Sequence, residues 1–361
     1  MLLVLRNRSV FTFVEYWRIR PCFQVVSSFR TMLSGIGIRI AEHSVKGAYY
    51  EEYGIIEGSG GQLSMNTFLD CIPCFARQAL EAARFVTDDP AIHERVMRGI
   101  LREAAQMDFS QSPPAIGQKL HRALRDLMHD DDPYREIKNH FTQAALEMLP
   151  DLSARIRDSD DPLFMALRVA IAGNVIDLGV NGDLRGSEVK NAMANILNEP
   201  FHGEVEDFRN AVCNARKILY LSDNAGEIVF DRLLIERLPL NRVTLAVRGA
   251  PVLNDATRAD AEAAGLCGLV EVIDNGSDAP GTILADCSRD FRRRFSMADL
   301  VIAKGQGNFE TLSDAGANVY FLFKAKCPVI ATHVGLPVGT HAAIHRHPAR
   351  IIGEGEQSAG T

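Results

Sequence analysis

The sequence predicts an α/β fold in which a helical N-terminal part precedes a mostly parallel, doubly wound sheet of Rossmann-like type. Residues 66–215 carry apolar side chains at helical spacing, whereas residues 216–335 alternate short β-rich runs with helical stretches. Short apolar runs bounded by turn residues are typical of buried parallel strands. Because alternating strands and helices are joined by right-handed crossovers, the second region is expected to form a sheet with helices on both faces.

The helical region shows repeated apolar spacing and clear boundaries. Apolar residues recur at helical spacing in two successive segments, at Ile92, Val96, Ile100 and Leu101 and then at Ile116, Leu120, Leu124 and Leu127. Acidic residues and prolines, which suit a first helical turn, separate the helices near residues 87–90, 112–114 and 130–133. A buried apolar helix is expected over 163–178 and a further helix over 204–215.

The sheet region consists of β-rich runs, most of them followed by a helical stretch. The runs are KILYLSD, RVTLAVR, GLVEVID, DLVIAKG, VYFLFKA and PVIATHV. The helical stretches between them include GEIVFDRLLIERL, NDATRADAEAAG and NFETLSDAG. We therefore expect a strand in each of the six runs.

The composition limits the class of protein. The 361 residues favour about two domains, and the 47% of hydrophobic residues indicate a sizeable core. The 39 Lys and Arg are outnumbered by 46 Asp and Glu, which argues against a general nucleic-acid binder. No apolar run is long enough for a transmembrane helix, and the seven scattered cysteines indicate a reducing compartment, so a cytoplasmic protein without membrane association is expected.

Four segments are expected along the chain. Residues 1–64 show no persistent period and predict a disordered extension or a misassigned start, with the folded part beginning at Met65. Residues 65–215 are expected to form a helical subdomain, and residues 216–347 an α/β domain that binds metal and phosphate. Residues 348–361 are polar and glycine-rich, and they predict a flexible tail.

Polar side chains follow four of the predicted strands, in the turns Ser222–Glu227, Gly249–Asp255, Asp274–Ser277 and Lys304–Glu310. Ligands of open α/β sheets bind beyond the carboxyl ends of the strands, so these turns are expected to meet at one edge. Asp and Asn oxygens suit Mg²⁺ or Mn²⁺, while Lys304 and the N–H groups of the turn over 305–307 suit a phosphate. The pattern predicts a site for a divalent cation and a phosphate.

Structural roles compete with this interpretation at several positions. Asn224 is equally suited to cap a helix with Glu227 as its capping-box partner, and Asn254 to cap the helix that begins near Asp255. Lys304, taken alone, is equally consistent with a solvated or salt-bridged lysine.

A polar pair interrupts the apolar helix predicted over 163–178. Asn174 and Asp177 lie three residues apart and therefore share one helical face. Because burial of an unpaired Asp is expensive, this face is expected to meet the cleft, a metal or another polar network. A buried network that holds the helix to the sheet is the alternative.

The motif CIPC, with Cys71 and Cys74, opens the first predicted helix, where a thiol pKa can be lowered. Two thiols do not complete a zinc site, although Cys327 or His333 could add a ligand. Packing at the helix start is the competing interpretation. The histidines at 333, 341, 345 and 347 are expected to be isolated surface residues.

Taken together, the motifs SDNAGE, LNDAT, AGNVIDLG and KGQGNFETL resemble those of the damage-control phosphatases, also called the acidic-residue-methyltransferase-like family, over about residues 65–340. The CIPC motif with Cys327 resembles the bacterial and archaeal branch. The resemblance implies a helical part packed on an αβα sandwich and metal-dependent hydrolysis of phosphate esters. Mn²⁺ is the metal expected first, with Mg²⁺, Co²⁺ or Ni²⁺ as alternatives.

The resemblance also implies roles for individual residues. Asp223, Asn224 and Asp255 would bind the metal, and the two aspartates would act in catalysis together with Lys304. The motif pattern and the resemblance together give the expected substrate-binding residues, which are Asn174, Asp177, Glu227, Lys304, Gly305, Gly307 and Asn308. The partner would be a small phosphorylated metabolite.

Two other functions stay open at this level. A carboxyl methyltransferase that uses S-adenosylmethionine would need a glycine-rich loop after its first strand. The motif SDNAGE has one glycine and two acidic residues, which suits a cation better. A non-catalytic sugar-phosphate or nucleotide sensor would bind a phosphate ligand without turnover.

Overall fold

The computed structural model describes residues 65–173 and 196–347. The predicted extension over 1–64 and the predicted tail over 348–361 lie outside the described residues, as do Asn174 and Asp177. Within the described ranges, no helix combines the length and the apolar character that crossing a membrane requires.

Five helices come first among the described residues. They are α1 (Cys71–Val86), α2 (Pro90–Ala104), α3 (Pro113–Met128), α4 (Arg135–Arg157) and α5 (Pro162–Ala172). Helices α2, α3 and α5 begin with proline, whose missing N–H is not needed in a first turn. The side chains of Asp89 and Asp161 accept hydrogen bonds from the first turns of α2 and α5. The helices thus begin where the acidic and proline residues predicted.

The strands and the remaining helices follow. The strands are β1 (Phe201–His202), β2 (Ile218–Leu221), β3 (Val243–Val247), β4 (Glu271–Asp274), β5 (Leu300–Lys304), β6 (Val319–Lys324) and β7 (His341–Arg346). The helices are α6 (Val205–Asn214), α7 (Glu227–Ile235), α8 (Arg258–Ala263), α9 (Arg289–Met297), α10 (Gly305–Leu312) and α11 (Pro328–Val334).

The described strands form one sheet in the order β1-β7-β6-β5-β2-β3-β4. Neighbouring strands run parallel except for β6 and β7, which are antiparallel. This mixed α/β architecture with a mostly parallel sheet confirms the predicted fold class. Strands β2, β3 and β5 lie side by side at its centre, so their carboxyl ends open onto the same edge.

Successive residues of the central strands face opposite sides of the sheet, and each side has its own core. Tyr220 and Ile302 pack on one side with α4 to α8. Leu221 and Val301 pack on the other side with α9, α10 and α11. Helices α1, α2 and α3 form a third apolar cluster of their own. The result is a sheet with helices on both faces and a helical part added to it.

One predicted strand is wrong. The run PVIATHV forms helix α11 over Pro328–Val334, with its proline in the first turn. Its β-branched residues favour a strand. The helix instead buries Ile330 and Ala331, about one turn after Cys327, in the second core, which is the apolar cluster on the side of the sheet that carries α9, α10 and α11. The final strand is instead β7, which returns antiparallel to β6 and was not predicted.

Candidate active site

The loops after β2 and β3 are joined by backbone hydrogen bonds just beyond the ends of both strands. Asn224 and Asp255 form an isolated antiparallel bridge. The backbone N–H of Ala256 donates to the carbonyl oxygen of Asp223 at 2.7 Å. The structure thus brings Asp223, Asn224 and Asp255 together at one point of the sheet edge.

Asp223 is buried among other carboxylates. Its pKa is raised well above the usual value, because burial disfavours the charged form and because the Glu227 and Asp255 carboxylates lie nearby. The positive charges of Arg248 and Lys326 act in the opposite direction. A carboxylate cluster of this kind favours the binding of a cation or a proton.

The first residue of α10 lies against the Asp223 carboxylate. Gly305 has a φ of +77°, and a Cβ atom added there would lie 1.9 Å from Asp223 Oδ2. A Cβ atom at Gly307 would lie 2.3 Å from the carbonyl oxygen of Pro280. Both positions require glycine because no side chain fits the contact. Gly305 thus lets the first turn of α10, with its backbone N–H groups, approach the Asp223 carboxylate, and Gly307 lets the same turn pack against the Pro280 backbone.

Lys304 is fully buried and bonded to protein acceptors. Its Nζ donates to Glu227 Oε1 at 2.6 Å, to Asp231 Oδ1 at 2.5 Å and to the carbonyl oxygen of Ala170 at 2.9 Å. These hydrogen bonds use all three hydrogens of the ammonium group. Burial lowers the pKa of Lys304, but the two carboxylates outweigh that effect and raise it above its usual value. The structure therefore shows the salt-bridged arrangement that was the alternative to a phosphate contact.

The predicted asparagine caps are absent from the described helices. Asn224 Nδ2 donates to Asp223 Oδ2 at 3.0 Å and to Glu227 Oε2 at 2.9 Å, and α7 begins without a side-chain cap. Thr257, not Asn254, caps α8 in a capping box. The capping alternative is therefore wrong at both asparagines, and Asn224 instead joins two carboxylates of the cluster.

Asn308 lies in α10 and is fully buried. Its Oδ1 accepts a hydrogen bond from Thr282 Oγ1 at 2.7 Å, and its Nδ2 donates to the carbonyl oxygens of Lys304 at 2.7 Å and Ser222 at 3.1 Å. These bonds tie α10 to the ends of β2 and β5. The structure shows a bracing role for Asn308, and its role in binding substrate stays a prediction.

Arg248 was not among the residues predicted from the sequence. Its side chain is 2% exposed, and its Nε donates to Asp255 Oδ2 at 2.6 Å. Its Nη1 lies 3.3 Å from Thr282 Oγ1 and 3.4 Å from Asn308 Oδ1, and its Nη2 lies 3.8 Å from Asp223 Oδ1. The one signal in the sequence was its place at the end of the run RVTLAVR, directly before a polar turn.

The cysteines show no sign of activation. Burial raises the pKa of Cys71 to about 11, opposite to the direction expected at a helix start. Cys74, Cys327 and Glu310 lie close enough to add to this shift, and the six cysteines within the described ranges are free thiols. The competing interpretation, packing at the helix start, agrees with these contacts.

Three of the four C-terminal histidines are not isolated surface residues, whereas His347 is exposed. His341 is fully buried beside Glu199, with 2.6 Å between its Nε2 and the carboxylate. His345 stacks on Tyr320 at 4.0 Å between ring centroids, and His333 packs edge-on against Phe309. The antiparallel return of β7, which the sequence did not predict, buries this segment.

A cavity of about 1100 Å³ lies at the other edge of the sheet, where the strands begin. Its lining includes Ala215, Asp299 and Asn318, which precede β2, β5 and β6. It contains none of the clustered carboxylates. The chemistry of the molecule is therefore concentrated at the carboxyl edge.

A divalent cation fits the donor set at this edge. In the part of the chain that the structure describes, no group of three or more His, Cys, Asp or Glu side chains is arranged to hold a metal ion. A cation here would be held by the Asp223 and Asp255 carboxylates and the Asn224 amide oxygen, which are hard ligands of the type that Mg²⁺ and Mn²⁺ prefer. The burial of Asp223, together with the neighbouring Glu227 and Asp255 carboxylates, raises its pKa, and this is the observation that favours such an ion.

Comparison with known proteins gives a consistent picture. Residues 67–341 match the model of the damage-control phosphatase ARMT1-like domain. An uncharacterized protein of Methanocaldococcus jannaschii is 34% identical over 292 residues, which cover 77% of this chain and 94% of that protein. A damage-control phosphatase of Archaeoglobus fulgidus is 32% identical over 281 residues, which cover 76% of this chain and 96% of the relative.

A solved structure also matches. The crystal structure of a DUF89 family protein from Pyrococcus horikoshii superimposes with a TM-score of 0.71 at 31% sequence identity. The match covers 78% of this chain and 99% of that protein.

Proposed function

This chain belongs to the damage-control phosphatase ARMT1-like family, and from that premise we propose that it is a metal-dependent phosphatase of small phosphorylated metabolites. The relatives from Archaeoglobus fulgidus and Pyrococcus horikoshii are named damage-control phosphatases. Their names support a role in metabolite repair. The reaction proposed is hydrolysis of a phosphate monoester.

One observation supports the proposal above all others. Three buried carboxylates, from Asp223, Glu227 and Asp255, meet where the loops of two central strands join. Clustered carboxylates of this kind are expensive in a structural core unless they are compensated by cations. Their place at the carboxyl edge of the sheet is where α/β proteins bind ligands.

Asp223, Asn224 and Asp255 would hold the cation, with Mn²⁺ proposed first. When bound, the ion would neutralise charge that develops on the phosphoryl oxygens. The Asn224 Nδ2 already donates to Asp223 and Glu227, which leaves Oδ1 as the amide atom that can face a cation. Mg²⁺, Co²⁺ and Ni²⁺ are the alternatives to test.

The protein groups would carry the remaining steps. The backbone N–H groups in the first turn of α10, which Gly305 and Gly307 bring to the edge, would donate to phosphoryl oxygens. A water molecule would attack the phosphorus in line with the leaving oxygen, and a carboxylate oxygen of Asp223 would take its proton. The bond between phosphorus and the leaving oxygen would break as the new bond forms, and that oxygen would leave as an alcohol after taking a proton from solvent.

Lys304 would act in this scheme as a positioning residue. Its ammonium group holds Glu227, which in turn accepts a hydrogen bond from Asn224. Its predicted contact with phosphate would require the exchange of one of its three protein acceptors.

The test is a phosphatase assay over a panel of phosphorylated metabolites and one aryl phosphate, with each divalent ion supplied in turn. The variants Asp223→Asn and Asp255→Asn should each lose at least about 100-fold in kcat, since each removes a carboxylate from the reacting site. Asp290→Asn is the matched control, because Asp290 is an exposed partner of Arg293 and Arg294 on α9. Thermal unfolding of all three variants checks that they are folded.

Retention of turnover in both site variants would overturn the proposal. Calorimetry separates the other two functions. A methyltransferase would bind S-adenosylmethionine, and a sensor would bind phosphate ligands while the whole panel stays intact.

A further inference from the structure

We propose that Arg248 is the residue that binds the phosphoryl group of the substrate, through its Nη2 group. The inference rests on the proposed phosphatase function and names the side chain that contacts the phosphoryl group. From the sequence, that contact was predicted for Lys304, whose three donors are all bonded to protein acceptors.

Arg248 occupies the centre of the candidate site. It directly follows β3, and its backbone N–H donates to the carbonyl oxygen of Ala256 at 2.9 Å, just after Asp255. Its guanidinium group reaches Asp255, Thr282 and Asn308, which belong to three different segments of the carboxyl edge. A ligand that enters between these segments meets this side chain.

The guanidinium group is only partly satisfied. The Nε hydrogen bond to Asp255 is short at 2.6 Å, and the two Nη1 contacts are long at 3.3 and 3.4 Å. The Nη2 atom is buried and has no hydrogen-bond partner among the described residues, and Asp223 Oδ1 lies 3.8 Å away. Most buried polar groups are bonded, so an exception of this kind in a charged side chain indicates a ligand contact.

The chemistry of the group suits a phosphoryl oxygen. A guanidinium presents parallel N–H donors that match the oxygens of phosphate, and it stays charged at every working pH. Asp255 holds the Nε side of the group and so fixes the direction in which Nη2 points. Asp255 would therefore position Arg248 as well as contribute to the cation site.

Lys326 is the competing cation. Its charge lowers the pKa of Asp223, so it lies near the same cluster, but its side chain is partly exposed. A partly solvated lysine gives a weaker and less directed contact than a buried guanidinium. Lys326→Gln therefore belongs in the test as the rival assignment.

The experiment measures binding of inorganic phosphate by calorimetry in the presence of Mn²⁺, and binding of Mn²⁺ alone by electron paramagnetic resonance. Arg248→Lys keeps a positive charge beside Asp255 but removes the Nη2 donor. We expect its Kd for phosphate to rise about 10- to 100-fold and its Kd for Mn²⁺ to change less than about threefold. Arg258→Lys is the matched control, because Arg258 is exposed and its guanidinium donates to the carbonyl oxygen of Val272, away from the carboxylate cluster.

The outcomes separate the inference from the function on which it rests. If Arg248→Lys binds phosphate with unchanged affinity, the inference is overturned and the phosphatase proposal stands. If only Lys326→Gln loses phosphate affinity, the conclusion is the same. An equal loss of Mn²⁺ and phosphate affinity also overturns it, because Arg248 would then only organise the carboxylates. Phosphate binding that depends on Arg248, in a protein that hydrolyses no monoester, supports the inference and overturns the function.

Arg248→Gln provides a second variant if the lysine protein does not fold. Its amide can still donate to Asp255, and the same loss of phosphate affinity is expected. In the wild-type protein, the Arg Nε–H resonances offer a measurement without any substitution. One buried resonance should shift on addition of phosphate, and the absence of any shift contradicts the assignment.

Discussion

Gly305→Ala is the smallest change that should disturb the candidate site. A Cβ atom at this position would lie 1.9 Å from Asp223 Oδ2, 2.1 Å from Cγ and 2.6 Å from Oδ1. Real Cβ atoms essentially never approach another heavy atom closer than 3.0 Å. The Asp223 carboxylate or the first turn of α10 must therefore move by about 1 Å or more.

Two effects combine in this variant and can be separated. The φ of +77° at Gly305 disfavours any residue with a Cβ atom and should cost about 1–2 kcal/mol in stability. A displacement of about 1 Å at a reacting group can lower the rate about 100-fold. We therefore expect modest destabilisation together with a loss of kcat/KM of about two orders of magnitude.

Gly316→Ala is the matched control. Gly316 has a φ of +64°, and a Cβ atom there would meet nothing within 4 Å. This variant should show the loss of about 1–2 kcal/mol that comes from the positive φ alone and keep its activity within about twofold. Steady-state kinetics on the aryl phosphate and urea unfolding of both variants test the comparison. Full activity in Gly305→Ala would refute the claim that activity depends on the position of the Asp223 carboxylate against the first turn of α10.

Two further predictions concern stability and pH. Burial, together with the positive charge of Arg125, lowers the pKa of His121 to about 3. Below pH 6.5 the unfolded chain therefore binds a proton at His121 that the folded protein does not bind, and the free energy of unfolding falls. The free energy of unfolding, measured with urea, should fall between pH 7.5 and pH 5, and His121→Gln should reduce this fall by about 2 kcal/mol. A fall of the same size in the variant would contradict the claim that His121 is neutral in the folded protein. Burial raises the pKa of Asp278, but hydrogen bonds from Arg122, Gln118 and Arg125 outweigh it and lower the pKa to about 2. The stabilisation from Asp278 is present above its unfolded pKa of 3.8 and is lost as the pH falls towards 2, so Asp278→Asn should be destabilising at pH 7 and much less so at pH 2.5. Equal destabilisation at both pH values would mean that charge is not what Asp278 contributes.

Much of the fold follows from local patterns in the sequence. Apolar runs such as the one in β5 are buried on both faces, and such runs indicate parallel strands whatever their neighbours are. The edge of the sheet was less predictable. Residues 328–334 carry β-branched side chains but form α11, because packing against the second core outweighs a propensity of about 1 kcal/mol.

The candidate site was predictable where topology alone decides it. Asp223, Asn224 and Asp255 follow adjacent parallel strands, so they had to meet at one edge. The partners of Lys304 and Arg248 were not predictable, because both depend on how far each side chain reaches across the sheet. A sequence gives the positions of two cations but does not show which of them is enclosed by carboxylates.

The two cations explain why loss of activity alone cannot assign a phosphate contact in this site. Lys304 bonds Glu227, Glu227 accepts from Asn224, and Asn224 belongs to the set that would hold the cation. Replacing Lys304 leaves two carboxylates buried without their cation, and such a break costs about 3–5 kcal/mol in other proteins. It also frees the Asn224 amide to turn, so activity would fall even if Lys304 touched no substrate. Arg248 has the opposite character, because its Nη2 atom has no hydrogen-bond partner in the described part of the chain and lies 3.8 Å from Asp223 Oδ1. Only a binding measurement that separates phosphate from Mn²⁺ distinguishes the two roles.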